Sequence, residues 1–160
     1  MDDALKEYLQ RHNIAYILHT HPAVFTVKES HNEPAIKNIP GLRTKSLFLK
    51  DEQGRFYLVC MPGEKRLNIR ALENKMEVKK LRFGTPDEMK QEIHCMPGSV
   101  SPCGILYAKN TRLIVDVSVW DAMEVGFHPA INTATLVLSR AAFRSFFHSL
   151  AVPKEVINLE

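Results

Sequence analysis

Two short segments and one distant lysine carry the residue types that could stabilise a developing negative charge or move a proton. Residues 97–102 place Gly98 and two serines between two prolines, a composition that favours a rigid loop with exposed backbone N–H groups. Residues 127–133 contain His128, which titrates near neutral pH, beside a proline. Lys45 would add a positive charge. Taken singly, these features are also typical of a connecting loop, a buried turn histidine and a solvated lysine.

Neither serine of the first segment has the surroundings of a serine-hydrolase nucleophile. No Gly-x-Ser-x-Gly elbow contains Ser99 or Ser101, so we do not predict a nucleophilic serine. Lys45 begins an alternating strand, where its side chain should face away from those of Thr44 and Ser46. It can hold a phosphate or ribose oxygen if it points into a cleft, and is a solvated lysine otherwise.

The cysteines and two histidines leave a metal site open as an alternative. Cys60, Cys95 and Cys103 are odd in number and contain no Cys-x-x-Cys pair, so neither a disulfide framework nor a standard zinc knuckle is indicated. We expect reduced thiols. His19 and His21 with the last two cysteines offer suitable ligand types, but their spacing matches no recognised zinc site.

Length and composition favour one globular domain over residues 1–160. The chain is 45% hydrophobic and 24% charged, and no stretch approaches the roughly 20 apolar residues that span a bilayer. The N-terminus lacks the pattern of a secretory signal, so we expect a cytoplasmic protein. A net charge of +3 is compatible with a nucleic-acid partner without requiring one.

Periodicity and turn signals predict a mixed α/β domain. Thr85-Pro86 with Glu88 is the pattern of a capping box, and the glycine in residues 51–54 suits a hairpin turn. The polar segment 26–38 predicts a short helix and a mobile loop. We expect helices over residues 3–12, 65–76, 86–94 and 140–150, and strands over 14–19, 46–50, 55–61, 79–83, 105–107, 113–119 and 133–138.

Four motifs in a fixed order carry a resemblance to a known family. They cover most of the chain, from about Val24 to the final helix, and their order is more specific than any one of them. The chain resembles the free-standing relatives of the bacterial prolyl-tRNA synthetase editing domain. The motifs are Thr44-Lys45-x-Leu47-Phe48-Leu49-x-Asp51, Phe83-Gly84-Thr85-Pro86, Pro97-Gly98-Ser99-Val100-Ser101-Pro102 and Phe127-His128-Pro129-x-x-Asn132-Thr133-Ala134-Thr135.

The resemblance implies a barrel-like mixed β-sheet surrounded by helices. It also implies hydrolysis in trans of an amino acid wrongly attached to tRNA, most typically alanine on proline tRNA. The expected partners are the acceptor end of an aminoacyl-tRNA and, beyond it, prolyl-tRNA synthetase. Neither a metal nor another cofactor is expected. Separately, the polarity of segment 26–38 and its Pro34 make it a candidate lid over the tRNA 3′ end.

The resemblance also assigns roles in the reaction. Lys45 corresponds to the family's lysine that engages the tRNA 3′ end, and residues 98–102 correspond to its Gly-x-x-x-Pro active-site loop. We therefore expect Lys45, Gly98 and Ser99 to serve catalysis, with loop amides holding the tetrahedral oxyanion. No residue stands out as the general base, so positioning should dominate, with the substrate's ribose hydroxyl as a candidate to orient the attacking water.

A second set of residues is expected to contact the substrate. His128 corresponds to a pocket histidine that helps select small side chains, and we expect Val100, Asn132 and Thr133 to join it. The alanine-specific members usually follow their lysine with asparagine, whereas this chain has Ser46. The removed residue could thus be alanine, serine, threonine or cysteine. A non-catalytic module that binds tRNA or a synthetase remains a further alternative.

Overall fold

The computed structural model describes the backbone of residues 1–160 and all side chains except those of Val27 and Ser30. One sheet of eight strands organises the molecule. The strands are β1 (Ile17–Thr20), β2 (Leu42–Lys50), β3 (Phe56–Pro62), β4 (Arg82–Phe83), β5 (Thr111–Asp116), β6 (Glu124–Phe127), β7 (Ala134–Ser139) and β8 (Lys154–Ile157). The helices are α1 (Asp3–Arg11), α2 (Val27–Asn32), α3 (Pro34–Lys37), α4 (Ile69–Met76), α5 (Pro86–Ile93), α6 (Val117–Trp120) and α7 (Arg140–Ser149), with a 3₁₀ helix at Pro102–Tyr107.

The sheet is mixed and open. Its strand order is β1-β7-β6-β2-β3-β5-β8, with β4 paired to β2 beside this path. The mixed α/β class is confirmed, but the barrel-like closure needs correction. Among the described residues the two end strands, β1 and β8, pair only with β7 and β5 respectively, so the sheet has two free edges.

The β2–β3 hairpin is the longest pairing and forms the predicted strand pair. Its turn encloses the buried Asp51, whose carboxylate accepts hydrogen bonds from the Arg55 guanidinium and from the Tyr57 hydroxyl at 2.9 and 2.8 Å. Gly54 supplies the positive φ that the turn needs. The other end of β2 runs parallel to β6, with Arg43 opposite Gly126, so Thr44 and the residues after it lie beside the end of β6.

Two helices cover the larger hydrophobic core. α1 contributes Leu5 and Leu9, and α7 contributes Phe143 and Phe146, all nearly inaccessible to solvent. The predicted first and last helices are thereby confirmed. The capping box is confirmed too: the Thr85 side chain accepts a hydrogen bond from the Glu88 N–H, and the Glu88 side chain accepts one from the Thr85 N–H. No helix in the described part of the chain is long and apolar enough to cross a membrane.

Several predicted elements are wrong or shifted. The run 105–107 lies in a 3₁₀ helix rather than a strand, because the Ser101 side chain caps Cys103 N–H and Pro102 suits the first helical turn. The strand predicted to reach Val119 ends at Asp116, where α6 begins. Strands β6 and β8 were not predicted. The segment 26–38 forms two short helices, α2 and α3.

Candidate active site

A cavity of about 210 Å³ lies where the start of β2, the loop before the 3₁₀ helix and the end of β6 meet. It brings together five of the residues predicted from the sequence: Lys45, Ser46, Gly98, Val100 and His128. The remaining predicted residues, Ser99, Asn132 and Thr133, lie outside its lining. The full lining is Phe25, Thr26, Thr44, Lys45, Ser46, Gly98, Val100, Phe127 and His128.

The loop that carries Gly98 is a tight turn with a specific set of free donors. Ser99 is buried, and both its N–H and its hydroxyl bond to the Met96 carbonyl, at 3.0 and 3.1 Å. Its amide therefore cannot hold an oxyanion without breaking the turn. In the part of the chain that the structure describes, the N–H groups of Gly98 and Val100 have no acceptor. These two amides are the donors left for an incoming oxygen.

The hydroxyl of Ser101 joins this loop to the histidine across the cavity. Ser101 is fully buried, and its Oγ donates to the His128 carbonyl while accepting from the Cys103 N–H. One side chain therefore fixes the loop, the first turn of the 3₁₀ helix and the backbone of His128 relative to one another. The sequence motif contained Ser101 without indicating this bridging role.

The His128 ring, which lines the cavity, keeps one nitrogen free as a hydrogen-bond acceptor. Its Nδ1 lies 3.0 Å from the Ala134 carbonyl, which can only accept, so Nδ1 carries the proton and a neutral ring leaves Nε2 bare. Burial lowers the pKa of His128 below its ordinary value of 6.5; the Ala134 bond opposes this shift, and the neighbouring His21 adds to it. The ring is therefore neutral at physiological pH, with a lone pair available for a donor.

A second histidine supports the first. The ring centroids of His21 and His128 are 6.2 Å apart. His21 is buried, its Nδ1 donates to the Pro22 carbonyl at 2.9 Å, and its Nε2 accepts from the Thr135 hydroxyl at the same distance. Because both its ring nitrogens are engaged, His21 is a structural neighbour of the cavity rather than a free proton carrier.

Asn132 and Thr133 act through their backbone. The Thr133 carbonyl accepts from the His21 N–H at 2.9 Å, and the Asn132 carbonyl accepts from the Val24 N–H at 3.3 Å. These bonds anchor the segment that leads to Phe25. Both residues therefore lie outside the cavity lining, and their backbone carbonyls hold the chain that leads to Phe25.

The start of β2 contributes two hydroxyls to the cavity wall. Thr44 Oγ1 donates to the Gly126 carbonyl at 2.9 Å, which ties β2 to β6. The Ser46 hydroxyl is buried and has no hydrogen-bond partner among the described residues. Cys60 lies opposite Ser46 in the strand pair. Burial raises the pKa of its thiol to about 12, although the Thr44 and Ser46 hydroxyls oppose this rise, so the thiol is an uncharged and weak partner for Ser46. The Ser46 hydroxyl therefore has no strong hydrogen-bond partner among the described residues.

Lys45 also lines the cavity, and the positive charge of a second residue acts on it. Burial lowers the pKa of its ammonium, and the positive charge of Arg66 lowers it further. Among the described residues, no carboxylate forms an ion pair with Lys45 or Arg66. Two neighbouring positive charges without such a partner favour the binding of an anion. A phosphate or a ribose oxygen beside Lys45 would relieve this repulsion.

The alternative metal site has no support in the arrangement of its ligands. Cys95 and Cys103 are buried, and burial raises the pKa values of their thiols to about 11 and about 12. His21 has both ring nitrogens engaged. Within the described residues, no three side chains of His, Cys, Asp or Glu are grouped so as to hold a metal ion.

Four lining residues were not predicted as site residues: Phe25, Thr26, Thr44 and Phe127. One signal for the first two was present in the sequence. Thr26 and Glu29 have the spacing of a capping box, and Thr26 Oγ1 accepts from the Glu29 N–H at 3.0 Å. The sequence thus indicated the start of a helix at Thr26, but it did not indicate that this helix begins beside the cavity.

Comparisons with known proteins identify the family to which the chain is similar. A family model described as aminoacyl-tRNA editing domain matches residues 21–146. The prolyl-tRNA editing protein ProX of Acetoanaerobium sticklandii is 32% identical over 79% of this chain and 77% of its own. Prolyl-tRNA synthetase associated domain-containing protein 1 of Danio rerio is 30% identical over 89% of this chain and 78% of its own. A crystal structure described as that of a candidate trans-editing enzyme for prolyl-tRNA synthetase superimposes with a TM-score of 0.76 at 20% identity, covering 100% of this chain and 98% of the other.

Proposed function

We propose, from the premise that this chain belongs to the aminoacyl-tRNA editing domain family, that it hydrolyses the ester of mischarged tRNA in trans. The substrate we propose first is alanine on proline tRNA, the substrate that the resemblance of the motifs implies. The observation that carries the proposal is the cavity itself. It joins two unpaired backbone amides, a bare histidine nitrogen and a lysine that favours an anion.

These groups suit the steps of ester hydrolysis. Water attacks the ester carbonyl carbon, and its proton passes to His128 Nε2. The carbonyl oxygen becomes an oxyanion, which the N–H groups of Gly98 and Val100 can hold. When the tetrahedral intermediate collapses, the bond to the ribose oxygen breaks and that oxygen takes the proton from the imidazolium. The products are the free amino acid and tRNA with its terminal hydroxyl restored.

Lys45 is assigned to the RNA side of the ester. The ribose and its phosphate carry the negative charge of the substrate, and Lys45 with Arg66 offers the matching positive charge. We also propose that the protein works in the cytoplasm alongside prolyl-tRNA synthetase. Two relatives carry that synthetase or its tRNA in their names, which supports this assignment.

One observation favours a second substrate class. The unpaired Ser46 hydroxyl offers a hydrogen bond that an alanine side chain cannot use. Serine or threonine on the tRNA would satisfy it.

A panel of charged tRNAs tests the function and the substrate together. We expect wild-type protein to deacylate at least one of alanyl-, seryl-, threonyl- and cysteinyl-tRNA in single-turnover assays. Ser46→Ala, which removes the hydroxyl, should shift the ratio of alanyl to seryl hydrolysis towards alanine by about 2- to 10-fold, the worth of one neutral hydrogen bond. Binding of tRNA with no ester loss across the panel would instead identify a non-catalytic module.

Replacing the lysine tests its assignment to the RNA. Lys45→Met keeps most of the aliphatic stem and removes the charge, and should lower kcat/KM by about 10- to 100-fold, mainly through KM. Lys79→Met is the matched control, because Lys79 is exposed and lies before β4, away from the cavity. Michaelis–Menten measurements with aminoacyl-tRNA decide the point. An unchanged KM in Lys45→Met would remove Lys45 from the binding site.

A further inference from the structure

Phe25 is an aromatic residue whose side chain is largely exposed to solvent beside the cavity. Its side chain is 64% exposed, and it lines the cavity together with Gly98. The ring packs against the active-site loop, since a Cβ built on Gly98 would lie 3.1 Å from Phe25 Cδ1. One part of the ring therefore contacts the loop that supplies the oxyanion amides, and much of the rest is free to meet a ligand.

The backbone that carries this ring is held by the helix that follows it. The Phe25 N–H donates to Glu29 Oε2 at 2.6 Å, and Thr26 accepts from the Glu29 N–H at 3.0 Å. The Val24 N–H is bonded to the Asn132 carbonyl. Hydrogen bonds on both sides of Phe25 hold its backbone in place. A ligand that meets the ring therefore encounters a surface that costs little to order.

We propose that Phe25 is the stacking platform for the base of the 3′-terminal nucleotide of the tRNA. The inference rests on the proposed function, which places the ester carbonyl at the amides of Gly98 and Val100. The ribose that carries this ester also carries the terminal base. Because the ring touches Gly98, it stands next to the position of that ribose.

Base stacking is the interaction that this side chain can offer. An unpaired base at an RNA end presents a flat π-face, and proteins commonly bind such bases on exposed aromatic side chains. Phe25 has no polar atom, so the contact reads no hydrogen-bond pattern. The carbonyl-binding amides and His128 hold the reacting end of the substrate, whereas Phe25 would hold the base and so position the ester for attack.

Two substrates that differ only in the base test the proposal. One is the amino acid esterified to adenosine, and the other is the same amino acid on a ribose that carries no base. For wild type and Phe25→Ala, kcat/KM is measured on both. We expect Phe25→Ala to lose roughly 5- to 150-fold more on the adenosine ester than on the baseless ester, the range found for one stacked base. Phe25→Trp should restore the preference, whereas Phe25→Leu should not.

Phe83→Ala is the matched control. Phe83 is 59% exposed and pairs with Leu49 on β2, several residues from the cavity end of that strand. Phe83→Ala should hydrolyse both esters with the kcat/KM values of wild type. Equal losses on the two esters in Phe25→Ala would overturn the inference and leave the proposed function standing. A wild-type protein inactive on every aminoacyl-tRNA would overturn both.

Discussion

Replacing His128 with alanine should abolish most of the deacylase activity. We expect kcat/KM to fall by about 10²- to 10⁴-fold, the usual contribution of a positioned general base. The reason is the tautomer: Nδ1–H is committed to the Ala134 carbonyl, so Nε2 is the nitrogen that can take the proton of the attacking water. Single-turnover rates on the best substrate of the panel provide the measurement.

His128→Asn separates catalysis from support of the fold. The asparagine amide nitrogen stands near the position of Nδ1, so it can keep the bond to Ala134 while removing Nε2. This variant should be as stable as wild type and nearly as inactive as His128→Ala. His148→Ala, an exposed histidine on α7, serves as the control with unchanged activity. A His128→Asn protein with wild-type turnover would show that Nε2 takes no part.

The pH profile gives an independent check of the same nitrogen. Protonation converts Nε2 from an acceptor into a donor, so only the neutral ring can accept a proton from water. Burial holds the pKa of His128 below 6.5. The neutral form therefore persists to lower pH than in an ordinary histidine, and kcat/KM should decline only as pH falls through this lowered pKa. His128→Asn should lose this acid limb.

Local signals explain which elements could be predicted from the sequence. The capping box at Thr85 and the glycine turn of the β2–β3 hairpin are short-range patterns, and both elements form as expected. Strands β6 and β8 are four residues each, too short to show a clear alternation; β8 pairs in parallel with the distant β5, and β6 pairs with β7 and, at its end, with the distant β2. A parallel pairing with a distant strand leaves no local pattern in the sequence. The apolar run 105–107 is too short to show a period, so the cap at Ser101 decides its conformation.

The residues that form the site were easier to predict than which of their hydrogen-bonding groups are free. The ordered motifs identified Lys45, Gly98 and His128, which the fold brings to one cavity. Which loop amide is free depends on the turn that bonds Ser99 to a carbonyl three residues earlier. Which nitrogen of His128 is bare depends on a carbonyl at the start of β7. Both are properties of the folded backbone that residue types alone do not determine.

Replacing Gly98 with alanine should cost about 10²- to 10³-fold in kcat, the effect of losing an oxyanion donor. Gly98 has φ of +91°, a conformation that residues with a Cβ adopt only with strain. The added methyl group would also lie 3.1 Å from the Phe25 ring. The turn must therefore shift, and the N–H groups of Gly98 and Val100 move with it.

Gly54→Ala supplies the matched control because it introduces the same backbone strain elsewhere. Gly54 has φ of +81° in the β2–β3 turn, and its added Cβ would meet only Lys50 Cε, at 3.9 Å. Each substitution should lower the free energy of unfolding by about 1–2 kcal/mol. Thermal unfolding should thus change similarly in both proteins, whereas kcat should collapse only in Gly98→Ala. If the two variants retain equal kcat, the loop amides do not hold the oxyanion, and the hydrolysis must be assigned to other donors of the cavity.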